Sequence, residues 1–110
     1  MAFIDMHGHS RKKSVFMYGP QVPMHSEKYL RMRVIPRLLS EDTDMFRYYS
    51  CRFVHEKSKA KTARIVIHKE LGITNCFTLE SSFHAYFDKN NINFEFTIEM
   101  FENMGLVLVN

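Results

Sequence analysis

Several features that define large classes of proteins are missing from this sequence of 110 residues. It contains no run of about 18 apolar residues, so we expect no membrane-spanning helix. Only two cysteines occur, Cys51 and Cys76, without CxxC spacing, which argues against a disulfide framework or a redox motif. Residues 1–5 lack the basic region and long apolar stretch of a secretory signal. These absences favour a protein of a reducing compartment over secreted, fibrous or membrane-spanning classes.

The familiar phosphate-loop, dinucleotide, zincin and serine-hydrolase motifs are absent as well. No GxxxxGK[ST], GxGxxG, HExxH or GxSxG pattern occurs. What is present is the composition of a globular domain, since 45% of the residues are hydrophobic and 25% are charged, which argues against disorder. With neither repeats nor a linker, we expect one domain, over residues 1–110.

The net charge of +3 hides an asymmetry along the chain. Residues 1–69 carry 14 Lys and Arg against 6 acidic residues, a balance of +8, whereas residues 70–110 carry Lys89 against 6 acidic residues, a balance of −5. A basic front half can attract nucleic acid, an anionic membrane or an acidic protein tail, and charge alone does not choose among them. A plain solvated surface is the commoner explanation of such a region.

Strands and helices alternate in the predicted secondary structure. Strands are predicted at 2–7, 15–18, 51–54 and 73–80, and helices at 26–39, 62–71 and from 97 towards 105. Pro36 is expected to kink or split the first helix, Gly72 to stop the second, and residues 84–93 to form a loop. The alternation predicts an α/β architecture, and the small number of strands indicates the second half of a larger sheet.

A His-Gly-His sequence ends the first predicted strand. His7 and His9 are two residues apart, so both side chains are expected on one face. Imidazole is a common metal ligand, but a zinc site needs three or four ligands and most histidines bind no metal. Asp5 offers an alternative, as a carboxylate partner for one of the rings.

Two further residues have unusual settings. Glu80 ends an apolar strand, where ligands bind in α/β sheets and where limited solvation suits a general base. Arg64 lies in the first turn of a predicted helix, where its charge opposes the helix dipole, so an anionic ligand held by the guanidinium would account for it. For each residue, the alternative of a solvent-exposed side chain without a function stays open at this point.

Five segments together resemble the cytosolic carboxypeptidases, zinc metallocarboxypeptidases that remove glutamates from tubulin and other proteins. They are residues 3–19 (FIDMHGHSRKKSVFMYG), 53–59 (FVHEKSK), 62–66 (TARIV), 76–83 (CFTLESSF) and 96–99 (FTIE). The resemblance runs from about residue 3 to residue 105. It implies the C-terminal part of a mixed-sheet metallocarboxypeptidase domain with helices packed on the sheet.

The resemblance also implies roles for three residues. His7 matches the family's last zinc ligand, Glu80 the glutamate that activates the zinc-bound water, and Arg64 the basic floor of the specificity pocket. The implied cofactor is Zn²⁺ and the implied partners are glutamylated protein tails, tubulin above all, with neither nucleic acid nor membrane. The implied location is the cytoplasm, with microtubule association a further possibility.

The sequence departs from the family at the metal site. The family takes its first two zinc ligands from an HxxE motif upstream of the position of His7, and no HxxE occurs here. One ligand does not hold catalytic zinc, so we expect this chain alone to be inactive or nearly so. We expect the chain to be the C-terminal half of a catalytic domain, left by truncation, a split gene model or a decayed copy, and the missing N-terminal half is then a further partner. The alternative is a catalytically inactive module that binds acidic protein tails.

Overall fold

The computed structural model describes all residues, 1–110. Eight regular elements follow one another: β1 (Ala2–His9), β2 (Val15–Tyr18), α1 (Glu27–Asp42), α2 (Ala63–Leu71), β3 (Asn75–Ser82), β4 (Ala85–Phe87), β5 (Asn93–Glu95) and α3 (Ile98–Val109). Two short 3₁₀ turns, Tyr48–Ser50 and Lys57–Lys59, lie between α1 and α2. None of the helices has the length and apolar character needed to cross a membrane.

The main sheet has three strands in the order β1-β3-β2. Strand β3 is central, parallel to β1 and antiparallel to β2, so the sheet is mixed, as predicted. Strands β4 and β5 form a separate antiparallel pair. Because β3 has neighbours on both edges, nearly all of its residues are buried.

The two faces of this sheet differ in chemistry. Successive side chains of a strand point to opposite faces, so Phe77 and Leu79 of β3 share one face with Val15 and Met17 of β2. These four residues form the hydrophobic core with side chains from α1, α3 and the segment after α1, namely Met32, Leu39, Met45, Phe46 and Met104. The opposite face, against which α2 packs, carries the polar side chains of Thr78 and Glu80 together with the buried ring of Phe16.

Helix α1 corrects one of the two effects predicted for Pro36, the splitting of the helix. Pro36 neither splits nor ends it, and the helix continues for six residues beyond the proline, to Asp42. A proline inside a helix removes one backbone hydrogen bond, at a cost of about 3 kcal/mol. Pro36 is fully buried, so packing of its ring against the core offsets part of that cost.

Residues 84–93 correct another prediction, because they contain strand β4 and the turn to β5 where a loop was expected. The carboxylate of Asp88 accepts hydrogen bonds from the backbone N–H groups of Asn90 and Ile92, and Asn91 adopts a positive φ of 63°. This side-chain turn closes the hairpin. The predicted strand at 51–54 is also wrong, since the structure has only an isolated bridge between Arg52 and Tyr18 there.

The helix ends agree better with the sequence. Gly72 ends α2 in the left-handed conformation, with φ of 67°, as its position predicted. The hydroxyl of Thr97 accepts a hydrogen bond from the backbone of Met100 and so caps α3. Helix α3 then passes through Gly105 and reaches Val109, so the apolar residues at the end of the chain are helical.

Two adjacent leucines of α1 provide a matched test of this packing. Leu39 is 4% exposed in the core, whereas Leu38 is 53% exposed. We expect Leu39→Ala to lower the free energy of unfolding by about 2–5 kcal/mol, since it leaves a cavity. Leu38→Ala is expected to change it by less than about 0.5 kcal/mol. Urea denaturation followed by circular dichroism checks this, and equal effects would contradict the placement of α1.

Candidate functional site

Glu80 lies near the carboxyl end of β3, on the sheet face opposite the core. It is directly paired with His7 of β1 and Phe16 of β2, and Thr78, two residues earlier, is paired with Asp5 and Tyr18. Directly paired residues point to the same face of a sheet. The mixed sheet therefore gathers side chains from three separate segments around Glu80.

The carboxylate of Glu80 is sheltered from solvent. The residue is 9% exposed, so the alternative of a solvent-exposed strand-end glutamate is wrong. Its Oε2 lies 3.6 Å from Nδ1 of His9, and the His9 ring meets the Phe16 ring edge-on with centroids 5.2 Å apart. Nε2 of His9 is buried without a hydrogen-bond partner. The aromatic wall and the histidine restrict how the carboxylate can move.

His7 and His9 lie on the same face but take different partners. Nε2 of His7 lies 3.0 Å from Oδ2 of Asp5, the carboxylate–histidine pair that the sequence offered as an alternative. Such a pair orients an imidazole for metal binding. No group of three or more His, Cys, Asp or Glu side chains is arranged to hold a metal ion. His7 thus fits one ligand position, and the residues of this chain do not form a complete zinc site.

Arg64 is buried in the first turn of α2, only 4% exposed, and faces the same side of the sheet as Glu80. Its Nη1 donates a hydrogen bond to Oγ1 of Thr78 over 3.1 Å, and its Nε is buried without a partner. Burial lowers the pKa of the Arg64 guanidinium, and the negative charge of Glu80 partly opposes that effect. A desolvated cation with an unused N–H donor is suited to an incoming anion.

Tyr18 is a member of the site that sequence reasoning missed. Burial raises its pKa, the charges of Glu80 and Glu56 raise it further, and Arg52 and Arg64 act in the opposite direction. Its ring packs edge-on against Phe16, with centroids 5.5 Å apart. The alternation of β2 was the available signal, because Phe16 and Tyr18 must share a face, but only the pairing with β3 shows which face.

The chain is similar to known proteins in both sequence and fold. No protein-family model matches the sequence. Cytosolic carboxypeptidase 3 of Mus musculus is 38% identical over 107 residues, which cover 94% of this chain. Cytosolic carboxypeptidase 2 of Homo sapiens is 37% identical over 107 residues, which cover 96% of it. The chain belongs to the cytosolic carboxypeptidase family.

A solved structure shows the same fold. A metallo-carboxypeptidase from Burkholderia cenocepacia superposes with a TM-score of 0.72 and 18% sequence identity, covering 98% of this chain and 28% of that one. The chain spans 10% of the mouse relative and 12% of the human relative. This cytosolic carboxypeptidase segment is therefore a small part of a metallocarboxypeptidase fold, consistent with the predicted C-terminal part of the domain.

The coupling between Glu80 and Tyr18 is testable. Glu80→Gln removes a negative charge that disfavours tyrosinate, so we expect the pKa of Tyr18 to fall, while burial, the larger cause, still acts to raise it. Titration of the ¹³Cζ signal of Tyr18 by NMR measures it. Glu56→Gln is the matched control and should produce a smaller fall, since its charge ranks below that of Glu80. If the pKa of Tyr18 is unchanged in Glu80→Gln, the charge of Glu80 does not act on the Tyr18 hydroxyl.

Proposed function

We propose that this chain is part of the catalytic domain of a zinc metallocarboxypeptidase that removes C-terminal or side-chain glutamates from polyglutamylated proteins such as tubulin. One observation carries the proposal: a sheltered carboxylate, Glu80, and a buried guanidinium, Arg64, face the same side of one sheet beside His7. The family supports a hydrolase of the carboxypeptidase class in the cytoplasm. The proposal goes beyond the family in two respects, the removal of glutamates and the association with microtubules.

Glu80 is the proposed general base. A sheltered carboxylate takes a proton from water as that water attacks the scissile carbonyl, and then gives it to the departing amine. The His9 nitrogen lies 3.6 Å from Oε2 and the Phe16 ring borders the same face, so the carboxylate has few orientations open to it. Less reorientation is then needed at the moment of proton transfer.

Arg64 is the proposed recognition group for a glutamate side chain. Thr78 holds one terminal nitrogen of the guanidinium, which leaves the other donors for a substrate carboxylate. Because the residue is buried, a carboxylate that reaches it forms a charge-assisted hydrogen bond shielded from water. A neutral side chain would leave the guanidinium desolvated and without a countercharge.

His7 would contribute one zinc ligand, oriented by Asp5. Zinc, when bound, polarises a carbonyl and acidifies water. The other ligands must come from beyond the residues described here, since this chain offers no group of three. The second candidate function is a module that binds acidic protein tails without metal and without turnover, and it would need the buried guanidinium of Arg64 but no metal ligand.

A chimera tests the catalytic role of Glu80. The aligned segment of human cytosolic carboxypeptidase 2 is replaced by this chain, which shares 37% identity with it. We expect Glu80→Gln to lower turnover of a glutamate-ended peptide by about 10²–10⁴-fold, the usual contribution of general acid–base catalysis, with zinc content unchanged. Rates and zinc stoichiometry are measured together.

The control for that experiment is Glu70→Gln, because Glu70 is exposed on α2 and should be neutral. Full turnover by Glu80→Gln would exclude the role of general base. A folded, zinc-loaded chimera with Glu80 intact but no activity would favour the non-catalytic binding module instead.

Arg64→Ala in the same chimera tests substrate recognition. We expect the ratio of kcat/KM for glutamate-ended over alanine-ended peptides to fall by about tenfold or more, since a hydrogen bond to a charged group contributes about 1.5–3 kcal/mol. Arg64→Lys keeps the charge without the planar fork and should retain part of the preference. Equal losses on both peptides would remove Arg64 from the specificity pocket.

A further inference from the structure

A cavity of about 560 Å³ opens beside the first turns of α1, and none of its lining residues belongs to the site around Glu80. Val22 and Phe53 line it and also pack against the hydrophobic core, so the cavity borders the core side of the sheet and not the polar face. Its apolar wall is formed by Val22, Pro23, Met24, Tyr29 and Phe53. A volume of several hundred Å³ with a largely apolar lining is typical of small-molecule sites.

The guanidinium of Arg33 contacts two aromatic rings of this cavity. Its central carbon lies 3.5 Å from the ring centroid of Tyr29 and 4.3 Å from that of Phe53. Its Nη1 donates a hydrogen bond to the backbone oxygen of Tyr29 over 2.7 Å. The two cation–π contacts and this hydrogen bond together fix the position of the group. The cation is therefore already ordered before a ligand arrives, which lowers the entropic cost of binding.

Arg33 has no acidic partner. No carboxylate lies within ion-pair distance of it, and its Nε and Nη2 make no hydrogen bond within the protein. These two nitrogens lie on one edge of the guanidinium, and such an edge binds a carboxylate through two parallel hydrogen bonds. By contrast, Arg37, one turn later in α1, pairs with Glu41 over 2.9 Å. The unpaired cation of this part of α1 is thus the one that lines the cavity.

His55 adds a second polar group without a partner to the same lining. Its Nε2 is buried and makes no hydrogen bond within the protein. Its backbone N–H donates to Oε1 of Gln21 over 2.9 Å, and this bond holds the two lining residues together. A buried polar atom without a partner is costly, so a ligand that forms a hydrogen bond with it is favoured. An imidazole N–H at this position can donate to an oxygen of a carboxylate.

We infer that this cavity binds a carboxylate that carries one aromatic or branched aliphatic group. The carboxylate pairs with Nε and Nη2 of Arg33 and with Nε2 of His55, and the apolar group lies against the apolar wall. A ligand with a second charge is disfavoured, because that charge would lie desolvated against the wall. The inference is independent of the proposed function, since the cavity shares no residue with the face around Glu80.

Two small acids and a neutral amide test the inference without any substitution. Acetate, 3-phenylpropionate and 3-phenylpropionamide are titrated into the 110-residue chain, and the ring signals of Tyr29 and Phe53 are followed by NMR. We expect 3-phenylpropionate to bind about tenfold or more tightly than the amide, which lacks the charge. It should exceed acetate by a similar factor, because acetate lacks the ring. Equal affinity for acid and amide, equal affinity for the two acids, or no binding of 3-phenylpropionate would overturn the inference.

Substitutions then identify the residues that hold the carboxylate. Arg33→Gln should lower the affinity for 3-phenylpropionate by about tenfold or more, and His55→Leu by about two- to tenfold, since each removes hydrogen-bond donors. Arg37→Gln is the matched control, because it removes the same charge from an exposed residue of the same helix that already has a partner. An equal loss in Arg37→Gln would show attraction to the basic surface in general and would overturn the inference. Circular dichroism checks folding, and if Arg33→Gln is unfolded, the comparison of acid with amide decides.

The same titration separates this cavity from the site at Arg64. Tyr18 reports on that site, because its ring centroid lies 5.4 Å from the Arg64 guanidinium, whereas Tyr29 reports on the cavity. Shifts confined to Tyr18 would show binding at Arg64 alone and would overturn the inference. A comparison of 3-phenylpropionate with N-acetyl-Ala-Phe distinguishes a free small acid from the C-terminus of a peptide. Tighter binding of either one, with shifts at Tyr29, supports the site and assigns the source of the carboxylate.

Discussion

The pairing of β3 with β1 on one edge and β2 on the other is the constraint on which the rest of the structure depends. Side chains of a strand alternate, so this register sends Phe77 and Leu79 into the core and Thr78 and Glu80 to the opposite face. A slip by one residue would exchange the two sets, burying a carboxylate among apolar side chains and moving a phenylalanine to the polar face. The core thereby fixes the position of the site, although it contributes no chemical group to it.

The polar face of the sheet buries two charged side chains, Arg64 and Glu80, whereas the core face buries none. Burying a charge is costly unless it is paired or hydrogen-bonded. Arg64 and Glu80 form no direct ion pair, yet the charge of Glu80 opposes the lowering of the Arg64 pKa by burial, and the Thr78 hydroxyl accepts one hydrogen bond. The pair therefore stabilises its charges through space, while Nε of Arg64 stays buried without a hydrogen-bond partner.

A feature of this structure could be predicted from the sequence when a short sequence pattern determines it, and not when tertiary contacts do. Strands β1 and β3 and the end of α2 at Gly72 depend on short patterns, and the sequence predicted them. The tolerance of Pro36 depends on tertiary burial, and the β4–β5 hairpin depends on the side-chain turn at Asp88, so neither was predicted. A His-Gly-His sequence, a strand end and a helix start single out His7, Glu80 and Arg64, whereas their roles are implied by the family resemblance alone. Physical reasoning placed two of these residues at a strand end and a helix start, but could not show that they share a face.

The two candidate functions share a recognition group and differ in their need for a metal. Both rest on the buried guanidinium of Arg64, which belongs to this chain. Only catalysis needs the metal, for which this chain offers His7 and no group of three ligands. Arg64 is held in place by α2 and by the hydroxyl of Thr78 on β3, and neither contact involves the imidazole of His7. The two proposals are therefore separated by the metal and not by the guanidinium.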